Sequence, residues 1–444
     1  MQSSLFGSGE APPPGAEHGG YAGSVSAREP ETPALYVSTV AIDDPGSLVG
    51  RLGPDMQLLW LRRGEGFVGL GTALRWEFDG AARLTDAAAA WRRLAASATV
   101  SDEVGLPGTG LVALGAFAFS DSSAAPSVMI VPEIVIGRRG GLAWMTRIGL
   151  APVGPTSAPQ GGAPAKPTHA EPTAIRFEPG ELAPDAYLEA VRGAVARIRG
   201  REFEKVVLAR DLVGRLPHGR GIGRALDALA AGYPDCWTFA IDGFFGSSPE
   251  TLVKVEDGIV SARVLAGSGA RGTDAGRDLE ASVALATSAK DQDEHEYAVQ
   301  SVLAALRPHS PGVRASDVPF TLRLPNLWHL ASDVEGTLAD DSGSLDLVDA
   351  LHPTAAVAGT PTPDAVAAIE ELEPFDRGRY AGPVGWIGAD GDGEWAIGLR
   401  CAQVEPGGVV RAYAGAGIVA DSIPEHELAE TAMKFRPIIE AFAP

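Results

Sequence analysis

The sequence predicts an α+β fold in which large antiparallel or mixed β-sheets pack together and are flanked by helices. Short apolar runs separated by turn residues recur along the chain, mostly as hairpins rather than as regular strand-helix-strand units. Other segments carry apolar residues at helical spacing. Hydrophobic residues make up 45% of the chain and charged residues 21%, a balance that argues against wholesale disorder.

The N-terminal part divides into a tail, a strand-rich portion and a loop. Residues 1–30 are rich in Gly, Pro, Ser and Glu, so we expect a disordered or loosely packed tail. Apolar runs such as LYVSTVAI and VMIVPEIVIG predict strands within residues 31–180, with one helix near 86–95. This portion ends in a Pro-, Gly- and Ala-rich loop at 152–172, where Lys166 is interpreted as a solvated linker residue.

Residues 181–444 mix helices with hairpins and are expected to form one compact unit with residues 31–180. The first helix begins at Pro184, carries Tyr187, Val191, Val195 and Ile198 near helical spacing, and ends at Gly200. The further predicted elements are the strand KVVLAR, the helix IGRALDALAAG, the strand CWTFAID, the hairpin TLVKV-EDG-IVSARVLAG, two helices over 275–306 and a last helix PEHELAETAMKFRPIIEAF. Residues 394–404 and 409–419 are predicted as the two arms of one hairpin around the turn EPGG.

Charge and composition narrow the class of protein. The chain has 36 basic and 57 acidic residues, a formal net charge of −21, which disfavours nucleic-acid and membrane partners because both need a concentrated basic face. The cysteines, Cys236 and Cys401, are too few for a disulfide framework. We therefore expect a cytoplasmic enzyme acting on a small-molecule substrate, as a monomer, without nucleic-acid or membrane partners.

Two motifs resemble ligand-binding loops but have simpler interpretations. Gly267-Ser-Gly269-Ala-Arg-Gly272 matches a dinucleotide fingerprint, yet the strand before it alternates polar with apolar residues and forms a hairpin arm. A tight turn is favoured, with a carboxylate contact at Gly267 left open; a nucleotide-dependent oxidoreductase remains the distant alternative. Asp390-Gly-Asp392-Gly lacks the later ligands of a calcium loop and is interpreted as a hairpin turn.

Two predicted helices each place acidic residues on one face. Asp291 and Glu294 are three residues apart, as are Glu427 and Glu430, and Lys434 follows Glu430 by four. Such faces are most often only solvated. Two of them could also close around one Mg²⁺, which takes a few carboxylates together with substrate oxygens and water.

Two further side chains are candidates for acid-base work. Lys205 begins an otherwise apolar strand, where a lysine either reaches out at a sheet edge or is held in a cleft. Glu250 stands at a strand entry; such a glutamate is usually on the surface, but a partly buried one becomes a general acid.

Ten strings, which contain most of these candidate residues, together resemble the chorismate-utilising enzymes, and among them the isochorismate synthases. The resemblance covers about residues 180–441. The strings are EKVVLAR (204–210), SPE (248–250), LAGS (265–268), KDQDEH (290–295), WHLAS (328–332), LHPTAAVAGTP (351–361), FDRGRYAGPVGW (375–386), LRC (399–401), AGAGIV (414–419) and ETAMK (430–434).

The resemblance implies a fold, a reaction and residue roles. Chorismate becomes isochorismate when water adds at ring C2 and the C4 hydroxyl leaves. By resemblance, Lys205 is the general base and Glu250 the general acid, while Glu294 and Glu430 bind Mg²⁺. Asp291 and Glu427 would act on the metal indirectly, by contacting its ligands or by binding it through a water molecule. The substrate-binding positions implied are Gly267, His329, Ala356, Tyr380, Arg400, Gly415 and Lys434.

The assignment to a subfamily depends on two residues. Lys205 points to water rather than ammonia as the nucleophile, because the family members that use ammonia lack this lysine. Salicylate synthases keep the lysine but typically have threonine where this chain has Ala356. The resemblance therefore favours an isomerase that stops at isochorismate, with a salicylate synthase as the close alternative.

Overall fold

The structure, a computed structural model, describes residues 33–53, 58–152, 174–325 and 327–443. The predictions for residues 1–30, for Lys166 and for nearly all of the loop 152–172 fall outside these residues. The strands are β1 (Tyr36–Ile42), β2 (Leu58–Arg62), β3 (Glu65–Leu70), β4 (Leu74–Phe78), β5 (Thr99–Asp102), β6 (Val112–Ala116), β7 (Ser127–Val131), β8 (Ile134–Arg139), β9 (Leu142–Gly149), β10 (Glu178–Pro179), β11 (Lys205–Arg215), β12 (Trp237–Ile241), β13 (Phe244–Ser248), β14 (Thr251–Glu256), β15 (Ile259–Ala270), β16 (Arg314–Ala315), β17 (Phe320–Arg323), β18 (Leu327–Thr337), β19 (Gly359–Thr360), β20 (Pro383–Gly388), β21 (Gly393–Ile397), β22 (Cys401–Val404) and β23 (Val409–Ile418).

The helices lie between groups of these strands. They are α1 (Arg83–Ser97), α2 (Pro184–Arg199), α3 (Gly223–Gly232), α4 (Ala275–Thr287), α5 (Ala289–Leu306), α6 (Ser344–Leu351), α7 (Thr362–Leu372) and α8 (Pro424–Ala441), with a 3₁₀ turn at Val49–Arg51. In α2 the four apolar residues predicted to share a face are all buried, and the helix ends at Gly200 as predicted.

The strands form two large sheets. The larger sheet has the order β10-β11-β23-β22-β13-β12-β2-β3-β8-β9-β1-β5, with β19 also paired to β11. The smaller sheet has the order β16-β18-β15-β14-β21-β20-β6-β7-β4, with β17 also paired to β18. Among the described strands, β1 and β5 form a parallel pair and the other pairs are antiparallel. This confirms the predicted α+β class with antiparallel and mixed sheets.

Both sheets combine early and late strands of the chain. In the larger sheet β2 pairs with β12, and in the smaller sheet β6 pairs with β20. From Pro33 onward the described residues make up one compact unit. None of the helices that the structure describes has the length and apolar content needed to cross a membrane.

The predicted hairpin with arms 394–404 and 409–419 is wrong in its first arm. Residues 394–404 do not form one strand. Strand β21 ends at Ile397, the chain then crosses from the smaller sheet to the larger one, and β22 begins at Cys401. Only β22 and β23 form the hairpin around EPGG. Arg400, in the connection between β21 and β22, has a left-handed backbone conformation with φ of 49°. Such a conformation is unfavourable for a non-glycine residue and is held by its surroundings.

A second segment makes the same crossing beside the first. The chain leaves the larger sheet after β13 and enters the smaller one at β14, and Glu250 lies between them. Two backbone bonds join the crossings: the Ser247 N–H donates to the Arg400 carbonyl, and the Ile397 N–H donates to the Glu250 carbonyl, both at 3.1 Å. The Ser248 hydroxyl donates to the Ile397 carbonyl at 2.5 Å. The crossings therefore satisfy backbone groups that would otherwise be buried without partners.

A buried ion pair fixes the start of β11. The Arg377 guanidinium donates to the Glu373 carboxylate at 2.6 and 2.8 Å, and to the carbonyls of Val207 and Val357. Glu373 in turn accepts the Ala209 N–H at 2.7 Å. Because charge and hydrogen-bonding capacity are satisfied together, the pair is tolerated in the core and ties β11 to the segment before α7.

Candidate active site

A cavity of about 200 Å³ lies at the crossings. All thirteen residues singled out from the sequence line it: Lys205, Glu250, Gly267, Asp291, Glu294, His329, Ala356, Tyr380, Arg400, Gly415, Glu427, Glu430 and Lys434. Most of them come from strands of both sheets and from two helices, α5 packed on β15 and α8 packed on β23. The others lie in connecting segments: Glu250, Ala356, Tyr380 and Arg400. The cavity therefore collects residues up to 229 positions apart in sequence (205 to 434).

One wall of the cavity is built from the larger sheet. Side chains alternate along a strand, so Lys205 and Val207 of β11 share a face, as do Gly415 and Gly417 of the neighbouring β23. A Cβ at Gly417 would lie 3.1 Å from the Lys205 Cε, and one at Gly415 would lie 2.9 Å from the Tyr380 hydroxyl. The two glycines thus leave room for the lysine and the tyrosine.

The acidic residues on α5 and α8 face two lysines. The Lys205 Nζ lies 2.5 Å from a carboxylate oxygen of Glu294, and the Lys434 Nζ lies 2.6 Å from one of Glu430. Lys434 also donates to the Gly415 carbonyl at 2.9 Å. The solvated-face interpretation of these helices does not hold for Glu294 and Glu430, which are turned into the cavity.

The donor set at the cavity fits a hard divalent cation. The four carboxylates offer oxygen ligands only, which Mg²⁺ prefers, and it usually takes one or two of them beside substrate oxygens and water. Two of these carboxylates could therefore bind such a cation only together with substrate oxygens and water. Within the described residues, there is no group of three or more His, Cys, Asp or Glu side chains that could hold a metal ion.

Glu250 is a buried carboxyl among cations. Its side chain sits between β13 and β14, and the residue is 7% exposed. Burial raises the pKa of Glu250 from 4.5 to about 7. The charges of Arg400, Lys205 and Lys434 act in the opposite direction without cancelling this effect. Glu250 can therefore hold a proton near neutral pH, as a general acid must.

His329 presents a neutral imidazole to the cavity. Its Nδ1 is 2.8 Å from the Ser268 hydroxyl, and its buried Nε2 has no hydrogen-bond partner among the described residues. Burial, then the charges of Arg400 and Lys434, lower the pKa of His329 to about 3. An uncharged ring nitrogen is thus available to a polar ligand.

Arg400 and Tyr380 complete the polar lining. Both are buried, and burial lowers the pKa of Arg400, although a guanidinium remains charged. The Tyr380 ring stacks on Tyr413 with centroids 5.3 Å apart, and burial raises its pKa, so the hydroxyl stays protonated. A fixed cation and a neutral hydroxyl suit the binding of a carboxylate.

The first four residues of the glycine-rich motif are part of a strand. Gly267 lies within β15, which pairs with β18, and has φ of 79° where the register shifts between Ala266 and Ser268. This is a bulge, and glycine is favoured there because of the positive φ. The tight-turn interpretation of the motif is therefore wrong, whereas the interpretation of the preceding strand as a hairpin arm is confirmed, because β15 pairs antiparallel with β14. Asp390-Gly-Asp392 lies in the turn between β20 and β21, as predicted.

Sequence reasoning missed several residues of the cavity wall. Val207 and Gly417 lie two positions from predicted residues on the same strand face, so alternation was an available signal for both. Ser268 directly follows Gly267. Further wall residues that no local pattern marks are Pro249, Leu265, Ala266, Val357 and Leu399.

The family of the chain follows from comparison with known proteins. Residues 54–443 match the model of the chorismate binding enzymes, which covers well over half of the chain. The protein belongs to this family. Isochorismate synthase DhbC of Bacillus subtilis is 40% identical over 270 residues, which are 58% of this chain and 68% of that relative.

Two further proteins show how far the similarity extends. The salicylate biosynthesis isochorismate synthase of Pseudomonas aeruginosa is 39% identical over 264 residues, 57% of this chain, and the match spans about half (54%) of that relative. The solved structure of MenF, the menaquinone-specific isochorismate synthase from Escherichia coli, has a TM-score of 0.73 and 24% identity, covering 93% of this chain and 95% of that one. At this identity the likeness concerns the fold.

The burial of Glu250 predicts a pH-dependent effect on stability. In the unfolded chain this carboxyl ionises above pH 4.5, whereas in the folded protein it ionises only near 7, so stability falls as the pH rises through this window. The loss is complete above pH 7 and amounts to about 3 kcal/mol. Glu250→Gln, which does not titrate, should therefore unfold at higher urea concentration than the wild type at pH 8, with a much smaller difference at pH 5.

Glu256→Gln is the matched control, because Glu256 lies on the adjoining strand β14 and its side chain is 38% exposed. It should change the urea midpoint little at either pH. An equal gain for Glu250→Gln at pH 5 and pH 8 would contradict a raised pKa at Glu250.

Proposed function

We propose that the protein is a Mg²⁺-dependent isochorismate synthase, an isomerase that adds water at C2 of chorismate and releases the C4 hydroxyl. The supporting observation is the placement of Lys205 and Glu250 in the wall of one cavity, with cations for two carboxylates around them. Relatives named as isochorismate synthases agree with this assignment.

Water activation is assigned to Lys205 and protonation of the departing hydroxyl to Glu250. Glu250 carries a proton near neutral pH and can deliver it. Lys205 must contact the attacking water as a free amine to serve as a base, and its Nζ lies 2.5 Å from a carboxylate oxygen of Glu294. Water activation therefore requires Glu294 to exchange this partner, and its proposed role as a metal ligand provides for that exchange.

Substrate binding is assigned to the remaining polar groups. Arg400, the Tyr380 hydroxyl and Lys434 are proposed to hold the carboxylates, with the backbone at Gly267 and Gly415 close by. His329 offers its free nitrogen to a hydroxyl or an ether oxygen. Mg²⁺, when bound, would neutralise a substrate carboxylate and the protein's own acidic groups. Glu294 and Glu430 are the proposed metal ligands. Asp291 and Glu427 are proposed to contact these ligands or to bind the metal through water.

A direct assay separates this activity from its alternatives. The purified protein is incubated with chorismate, with and without Mg²⁺, and isochorismate, salicylate and pyruvate are quantified. Isochorismate without pyruvate is the expected result. Salicylate with pyruvate would assign the protein to the salicylate synthases instead, and the absence of Mg²⁺-dependent turnover would exclude both activities.

Replacement of the proposed base should abolish water addition. General-base catalysis contributes about 10²–10⁴-fold, so Lys205→Ala should lose at least that much of kcat. The control is Lys254→Ala, a lysine on β14 outside the cavity that pairs with Glu256, which should keep wild-type turnover. Near-normal activity of Lys205→Ala would refute Lys205 as the base.

Replacement of one proposed ligand should change the metal requirement. Glu430→Gln keeps the size of the side chain but removes its charge, so the Mg²⁺ concentration giving half-maximal activity should rise about tenfold or more. Glu425→Gln, on the same helix but paired with Arg192 at the surface, is the control. An unchanged Mg²⁺ titration for Glu430→Gln would remove Glu430 from the ligand set.

A further inference from the structure

A second, much smaller cavity lies directly behind Glu250. It has a volume of about 10 Å³, close to the space one water molecule needs. Glu250 and Ala356 line both this rear cavity and the large one, so they form part of the wall between them. Thr251 and Arg263, which also line the rear cavity, are partly exposed.

One residue in the wall of the rear cavity carries an unpartnered hydroxyl. Thr354 is 8% exposed, and its Oγ1 has no hydrogen-bond partner among the described residues. A buried hydroxyl without a partner is costly, and a bridging water is the usual remedy where the site is polar and large enough. Glu250 supplies a second polar partner in the same cavity, so the space suits one water between the two side chains.

The chemistry creates a need for such a water. This step rests on the proposed function. In each turnover Glu250 gives its proton to the C4 hydroxyl, and this hydroxyl leaves as water. Glu250 thereby becomes a carboxylate, while Lys205 takes a proton from the attacking water. Before the next turnover Glu250 must regain one proton and Lys205 must lose one. At saturating chorismate the next substrate fills the large cavity as soon as the product leaves, so that route to Glu250 is blocked even after product release.

We propose that Glu250 regains its proton through a water held behind it by Thr354, on the side away from the substrate. The water gives a proton to the Glu250 carboxylate and is restored by one from bulk solvent, which balances the proton that Lys205 releases. The cations facing Glu250, Arg400, Lys205 and Lys434, lie at the wall of the large cavity. Thr354 is a positioning residue in this scheme, because it acts only through the water.

The test uses Thr354→Val, which replaces the hydroxyl by a methyl group of similar size, and Thr354→Ser, which keeps the hydroxyl. Steady-state kinetics with chorismate and Mg²⁺ are measured at pH 7 in H₂O and in D₂O. Reprotonation follows product release, so Thr354→Val should lower kcat several-fold, leave kcat/KM unchanged and increase the solvent isotope effect on kcat. Thr354→Ser should recover kcat. Unchanged kcat in Thr354→Val, or an equal loss of kcat and kcat/KM without a larger isotope effect, would overturn the proposal.

A stability measurement tests the water independently of any activity. If the rear cavity were dry, Thr354→Val would remove an unsatisfied hydroxyl and raise Tm. With a bridging water in place, the variant loses hydrogen bonds, and Tm should stay the same or fall. A higher Tm would overturn the water site even if the wild type converts chorismate. Failure of the wild type to convert chorismate, without a higher Tm in Thr354→Val, would overturn the proposed function and the proton-return role with it, but not the water site.

Discussion

The candidate site depends on one constraint of the backbone, the paired crossing of two chain segments from one sheet to the other. The crossing after β13 carries Glu250, and the crossing before β22 carries Arg400. Two backbone hydrogen bonds and the Ser248 hydroxyl join them, so neither can move without the other. The left-handed conformation of Arg400, unfavourable by roughly 1–2 kcal/mol, is held by these bonds. The two side chains are thereby buried at the junction of the sheets.

The charge of the site is balanced residue by residue. The chain as a whole has a net charge of −21, which would repel a dicarboxylate. Inside the cavity, Glu294 and Glu430 are each paired with a lysine, and Arg400 adds a cation buried at the crossing. The acidic residues thus hold the lysines in place. Under the proposed function, Glu294 and Glu430 would instead hold Mg²⁺, and the lysines would then be available to the substrate.

The sequence predicted where helices and strands lie along the chain better than it predicted which sheet each strand joins. Apolar spacing located α2 from Tyr187 to Ile198, and family strings located the residues of the cavity, because both signals are local. The segment 394–404 shows the limit: its apolar residues predict one strand, while the structure divides it between two sheets. Which sheet a strand joins is decided by partners far away in sequence, such as β13 and β14 here, and periodicity carries no information about them.

Burial of Glu250 has two opposed effects on its proposed role as a general acid. The same desolvation that keeps the carboxyl protonated near pH 7 also separates it from bulk solvent. A general acid used repeatedly needs a return path for its proton, and the wall that Glu250 shares with Ala356 separates the substrate from that proposed path. Position 356, where salicylate synthases typically have threonine, therefore lines both cavities. A hydroxyl there would narrow the rear cavity and add a polar partner beside Glu250, so a single substitution could change both substrate contact and proton return.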